Sequence, residues 1–373
     1  EASGASGTPV LTVTGGVEPF RVGNPDRPAV FGIDVNDANG VVFRDKTWLL
    51  SLPGSSTWAI TPGADMAAGT PGVLGTGAQT LTDYSLRIPR ADALGTGGES
   101  VTVGGSDLAV WFDATRETGG RLYDDPDYAF TAAHDVTLSG TGSTVGFDGA
   151  GTVTHTGTLS GTGTLVKYGN GDAELSGVNS FTGDIAIHAG RLRVSDDAAL
   201  GDSANTIALT GGTLGITGTG PLTLTRTLTS SDGALDLSAS VALTLDGALS
   251  GSLSKQGDGA LTLGGTLSNS SLDLAVDEGV AILDKIDAPS VRHILRVAPQ
   301  AEVRLAGSGG NQISGNVTLT GGTMDLNGAS ESVGRLDSAV LASTVTNSGA
   351  TPATLTVGEG NVSSRFIGAL ADG

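Results

Sequence analysis

Cysteine is absent from the 373 residues, so the chain has neither a disulfide framework nor a thiolate metal site. Aromatic residues make up only 4% and charged residues 16%, the latter well below the proportion of about a quarter usual in soluble domains. A chain this poor in large rings does not suit a compact enzyme core. No apolar run approaches the ~20 residues of a membrane-spanning helix. Lysine and arginine total 19 against 39 aspartates and glutamates, a formal net charge of −20. No basic patch exists to release counterions, which argues against nucleic acid, or an anionic membrane, as a direct partner. The acidity reads as solubility for a surface or secreted protein.

What is present is glycine, 60 residues of it, in no three-residue period, which excludes collagen. A mean hydropathy of +0.10 is too apolar for simple disorder. Helix signals are nearly absent. The best stretch runs from Asp287 to Pro299, and its "SVRHILRV" reads equally well as a strand. Elsewhere apolar and small polar residues alternate over four to six positions between Gly, Asn or Asp, as in "DVTLSG" at Asp135, "DIAIHAG" at Asp184 and "NVTLTGG" at Asn316. These are strands with turn punctuation.

The pattern repeats. "LVKYGNGDAELSG" from Leu165 matches "LSKQGDGALTLGG" from Leu253 as L-x-K-x-G-[ND]-G-x-x-x-L-x-G. "LRIPRADALG" at Leu86 matches "LRVSDDAALG" at Leu192, and "LTGGTLGI" at Leu209 matches "LTGGTMDL" at Leu319. Units of unequal length suit a solenoid, in which insertions enter turns while stacked strands keep register. The expectation is an all-β parallel β-helix. Leu165, Leu175, Ile185, Ile187, Leu192, Val194, Leu253, and Leu261 or Leu263, should point into its lumen, and Thr and Ser should face out. Leu175→Asp is then expected to cost several kcal/mol, because it buries a carboxylate without a partner. Lys167→Ala is expected to cost little if Lys167 lies at the surface. Residues 1–78 differ from the rest. They hold Trp48, Trp58, Phe20, Phe31 and Phe43 and a cluster of prolines, and are expected to form an irregular cap, or a small binding domain, ahead of repeats over 79–373.

The stretch from Leu165 to Gly201 resembles the autotransporter-associated β-strand repeat. It carries Leu165, Lys167, Gly169, Gly171, Leu175, Gly177, Asn179, Phe181, Thr182, Gly183, Ile185, Ile187, Gly190, Leu192 and Val194 at the family's positions. It departs at Ala173 and Glu174. The copy at Leu253 loses the Asn-x-[YF]-T-G segment after Gly265, having "TLSNSSLD" instead. The stretch "ATLTVGEGNVSSRFIGALADG" resembles the lead-in to another copy, so the chain reads as a fragment of a longer protein. The resemblance implies a right-handed parallel β-helix in an exported passenger. Such a passenger is displayed on a Gram-negative surface after passage through an outer-membrane barrel of the same parent chain.

Sites are few. "RLYDDPDYAF" gathers Tyr123, Asp124, Asp125, Asp127 and Tyr128. It offers ligands for calcium or a sugar ring, or is a solvated loop turned by Pro126. With Trp48 and Trp58 these five are the candidate partner-binding residues. "DVNDANG" at Asp34 fails the calcium-loop spacing at Ala38 and reads as a hairpin turn. The histidines are His134, His155, His188 and His293, and His188 is expected to face outward. No G-x-S-x-G elbow, G-x-G-x-x-G loop or H-x-x-x-H pair occurs, so no catalytic residue, metal site or cofactor site is assigned. The expected function is a non-enzymatic surface module, an adhesin-like stalk binding a host or surface protein or glycan. The alternative is a polysaccharide-active or peptidase passenger whose active residues have no readable motif.

Overall fold

The computed structural model describes strands at Leu49–Leu50, Met66–Ala68, Gln79–Leu81 and Leu86–Ile88, and then residues 100–104, 109–114, 116–118, 121–306, 311–359 and 361–372. Most of residues 1–78, with Trp48 and Trp58, lies outside the described residues. The chain forms two compact units, Glu1–Leu192 with Ala198–Asp202, and Arg193–Asp197 with Ser203–Gly373. Among the described residues no helix is long and apolar enough to cross a membrane. The one helical element among them is a 3₁₀ turn at Asp197–Leu200. The segment from Asp287 that offered a helix contains the strand Ile294–Val297 instead.

Both units are parallel β-solenoids. In the first, Val110 pairs with Val145, Val145 with Leu165, and Leu165 with Ile185. In the second, Leu243 pairs with Leu261, Leu261 with Ala281, Ala281 with Val303, and Val303 with Met324. Each residue thus sits beside its counterpart one coil on. Alternation places every second side chain in the lumen, and the stacked rows form a continuous core. The aliphatic residues expected inside are there, Leu261 and Leu263 both included, none more than 2% exposed. Burial of each contributes about 1.5–3 kcal/mol. Thr144, Thr154, Thr164 and Ser254 alternate outward and are only partly buried. The first unit adds an aromatic layer. Phe112 and Phe147 stack at 5.4 Å, and the edge of His155 packs on both.

The lysine of the repeated motif is not at the surface. Lys167 stands in an inward row between Phe147 and Ile187, and Lys255 between Leu235 and Val276. They are 1% and 0% exposed. Their apolar stems line the lumen, as long cationic side chains do when an amine can reach polar groups. The Lys167 amine turns into the corner and donates to the carbonyls of Tyr168, Gly169 (2.8 Å) and Ala189 (3.4 Å). The Lys255 amine does the same with Gly257 and Glu278 (2.8 Å). Burial pushes the Lys255 amine down to about 8, with Asp258, Glu278 and Asp236 partly offsetting it. The motif glycines complete the corner. Gly169 has φ +67°, and a Cβ on Gly171 would fall 1.9 Å from the Gly151 carbonyl oxygen of the preceding coil.

Buried asparagines staple neighbouring coils. Asn179 Oδ1 accepts from the Leu159 N–H at 2.8 Å, and its Nδ2 donates to the Ala199 carbonyl at 2.6 Å. Asn269 repeats the arrangement between Leu249 (2.9 Å) and Ser290 (2.8 Å). The second copy therefore keeps the function of the motif asparagine from a displaced position in "TLSNSSLD". Ser290 continues inward to Gln312, and Glu331 accepts from the Gln312 and Ile313 N–H groups. Asn179→Ala strands a donor and an acceptor, each costing about 1–3 kcal/mol when buried. We expect it to destabilise the first unit by about 2–4 kcal/mol on that basis. Chemical denaturation beside Ser180→Ala, an exposed neighbour expected to be near neutral, checks this.

Candidate binding face

Among the described residues no group of three His, Asp or Glu is placed to hold a metal ion. The second unit has an open groove of about 970 Å³, lined by Leu326, Leu336, Val345, Leu355, Phe366 and Leu370 among others. Asp372 is the single titratable side chain on its wall. Buried charges elsewhere are held by the fold. Asp325, for example, accepts from Asn327 and Ser348 and pairs with Arg304.

The acidic-aromatic cluster is an excursion from the coil. Arg116–Thr118 and Arg121–Tyr123 form an antiparallel hairpin, inserted between the coil strands Ala109–Ala114 and Ala129–Ala132. A turn follows. Asp125 Oδ1 accepts from the Asp127 N–H, and the Asp125 carbonyl from the Tyr128 N–H, both at 3.1 Å. Pro126 sits at the second position of this turn, where its fixed φ is favourable. Asp124 and Asp127 are exposed, and Asp125 and Tyr128 half-buried. Tyr128 packs toward Phe130 with ring centres 6.0 Å apart. The structure thus brings Asp124, Asp125, Asp127 and Tyr128 into one surface turn beside Tyr123, whose backbone ends the hairpin. Trp48 and Trp58 are not among the described residues.

A second surface feature joins His188 to two residues not singled out in the sequence, Trp111 and Tyr168. Tyr168 follows inward Lys167 and so faces out, 42% exposed. His188 follows inward Ile187 one coil on, and the two rings stack at 4.5 Å with 7° between planes. His188 is therefore on the outer face as expected, though half-buried by this stacking. Trp111 comes from an earlier coil, with its ring centre 5.8 Å from that of Tyr168. Its partner one coil on is Gly146. A Cβ there would fall 2.1–2.7 Å from three atoms of the indole. The missing side chain lets the indole lie down across the sheet toward Tyr168. Outward polar residues flank the row, including Thr144 and Thr164, whose hydroxyls are 3.3 Å apart.

The chain is similar to an autotransporter adhesin. Over 88 residues, 23% of its length, it is 40% identical to "Adhesin BmaC autotransporter" of Brucella suis biovar 1 (strain 1330). The matched stretch is 2% of that protein's length. No protein-family model matches the chain, and no solved structure matches it.

Proposed function

We propose that the chain is a non-catalytic, adhesin-like module of an autotransporter passenger. On this reading it is built of autotransporter-associated repeats, exported through an outer-membrane barrel of the same parent chain, and displayed on a Gram-negative cell surface. Its outer face meets a host or surface protein or glycan. The observation that carries the reading is the 88-residue similarity to an autotransporter adhesin, found in a chain whose described residues form parallel β-solenoids. The open groove with one carboxylate supports binding over catalysis, since glycoside hydrolysis needs two carboxylates flanking one bond. The acidic surface keeps such a module soluble and discourages non-specific adsorption to anionic membranes.

Purified, fluorescently tagged chain should bind host epithelial cells saturably and be competed by untagged chain. It should leave glycan and peptide substrates intact. Absence of saturable binding would contradict the reading. So would hydrolysis that disappears when a single Asp or Glu is replaced.

A further inference from the structure

We infer that the peptide bond between Asp125 and Pro126 is a self-cleavage site, at which the Asp125 carboxyl severs its own chain and leaves a solenoid of two chains. The inference goes beyond the adhesin reading and stands without it.

Aspartate is followed by proline once in the sequence, at this position. The pair lies in the turn between the strands Arg121–Tyr123 and Ala129–Ala132, with Pro126 exposed. Two hydrogen bonds of that turn act on the reacting groups. Asp125 Oδ1 accepts from the Asp127 N–H at 3.1 Å, which holds the carboxyl against the main chain of its own turn. The Asp125 carbonyl, which belongs to the Asp125–Pro126 bond, accepts from the Tyr128 N–H at 3.1 Å. That donor faces the oxygen on which charge develops when the carbonyl carbon is attacked. Pro126 is the leaving group. Its nitrogen carries no hydrogen, so it cannot close on the aspartate side chain, the route by which other residues after aspartate form a succinimide. Attack by the carboxyl oxygen on the carbonyl carbon is the route that remains.

The step begins from the acid form of the carboxyl. One side-chain oxygen of Asp125 bonds to the Asp125 carbonyl carbon and closes a five-membered ring. The C–N bond to Pro126 breaks, the carboxyl proton passes to the proline nitrogen, and that nitrogen leaves as a secondary amine. The product at Asp125 is a cyclic anhydride, which water opens to two carboxyl groups. The net change is hydrolysis of one amide. Nothing is oxidised or reduced, and water is the one co-reactant. Holding nucleophile and carbonyl in one rigid turn gives the reaction the advantage of a positioned intramolecular attack. The cut leaves the coils stacked. Upstream, Ser100–Val103 and Ala109–Ala114 are hydrogen-bonded to Asp135–Leu138 and Thr144–Gly149 downstream. Phe112 from one side of the cut stacks on Phe147 from the other, both fully buried. The N-terminal piece is then retained by strand pairing and packing alone.

The test incubates the purified full chain in mildly acidic buffer in which circular dichroism shows it folded. Products are followed by denaturing electrophoresis, intact mass and N-terminal sequencing. Two fragments should appear, with masses that sum to the parent plus one water and a new N-terminus at Pro126. They should co-elute on gel filtration and separate in urea. Cleavage of the folded chain should be at least about tenfold faster than that of the urea-unfolded chain, or of a synthetic peptide spanning Arg121 to Phe130, in the same buffer, because only the fold fixes the turn. Asp125→Asn and Pro126→Ala should each slow it about tenfold or more, and so should Asp125→Glu, whose carboxyl must close a larger ring. Thr131→Ala, at an exposed neighbouring position, should cleave like the parent. All variants are checked for native circular dichroism, so a lost cut is not lost folding. An intact parent chain, a folded chain no faster than the peptide, or Asp125→Asn cut at the same bond at the parent's rate would each overturn the inference. Cell binding is measured on the Asp125→Asn chain, where uncut chain that binds saturably shows that the adhesin reading stands or falls separately.

Discussion

Lys167→Ala should destabilise the first unit by about 3–5 kcal/mol, a loss as large as that of a core leucine. Removing the stem opens a cavity between Phe147 and Ile187, its register neighbours. Removing the amine takes the donor from the carbonyls of Tyr168, Gly169 and Ala189. The two contributions separate in Lys167→Met. That variant keeps most of the stem and strands the carbonyls, at about 1–3 kcal/mol. An outward neighbour such as Thr164→Ala should fall within about 0.5 kcal/mol of the parent. Urea denaturation of the three variants gives the ranking Ala, then Met, then the threonine control. A Lys167→Met protein as stable as the parent would mean that water already satisfies the corner carbonyls. Leu175→Asp remains strongly destabilising for the reason read from the sequence, so Lys167 and Leu175 are two members of one interior.

Acidification should also weaken the first unit, through His155. This side chain occupies an inward row between Ala132 and Leu175, fully buried against Phe112 and Phe147. Neither ring nitrogen has a well-formed hydrogen bond. Burial lowers its pKa from 6.5 to about 4, with the charge of His134 lowering it further, and the His134 backbone and Asp135 partly offsetting the fall. The unfolded chain therefore binds a proton near pH 6.5 that the folded chain refuses until near pH 4. Stability is at its full value above pH 6.5 and declines as pH falls through that window, by ~3 kcal/mol in all. Asp135 acts lower down. Its carboxylate is held below its ordinary 3.8 by hydrogen bonds from Thr158, so its contribution is lost only at still lower pH. His155→Phe should keep the aromatic layer and flatten the decline between pH 6.5 and 4. An unchanged acid limb in that variant would place the titrating group elsewhere.

How far the sequence disclosed this depends on the kind of signal. Period-two alternation and recurrence located the lumen residues from Leu165 to Leu263, because strand geometry is local. The same alternation puts Lys167 on the face of Leu165, yet its charge argued for solvent. Only the corner geometry shows carbonyls within reach of the amine. Asn269 escaped notice because the staple in the second copy starts from a shifted position, and the hydrogen-bond geometry, not the spacing, is what repeats. The turn at Asp125–Tyr128 was legible from Pro126 and the flanking aspartates. The Trp111, Tyr168 and His188 row was not, since coil length decides which outward residues become neighbours. The one clue was that an aromatic residue directly follows the motif lysine at Tyr168.

Everything functional in this protein depends on which side of each strand meets solvent. The absence of native cysteine allows a direct measurement: thiol labelling of single-cysteine variants at adjacent positions, with and without denaturant. Glu174→Cys and Ser254→Cys, half-buried on the outer face, should label in the native protein without denaturant. Leu175→Cys and Leu253→Cys, one residue away in the lumen, should stay protected until urea opens their unit. Equal labelling within either pair, or protection of Glu174→Cys with rapid labelling of Leu175→Cys, would contradict the solenoid and the binding face built on it.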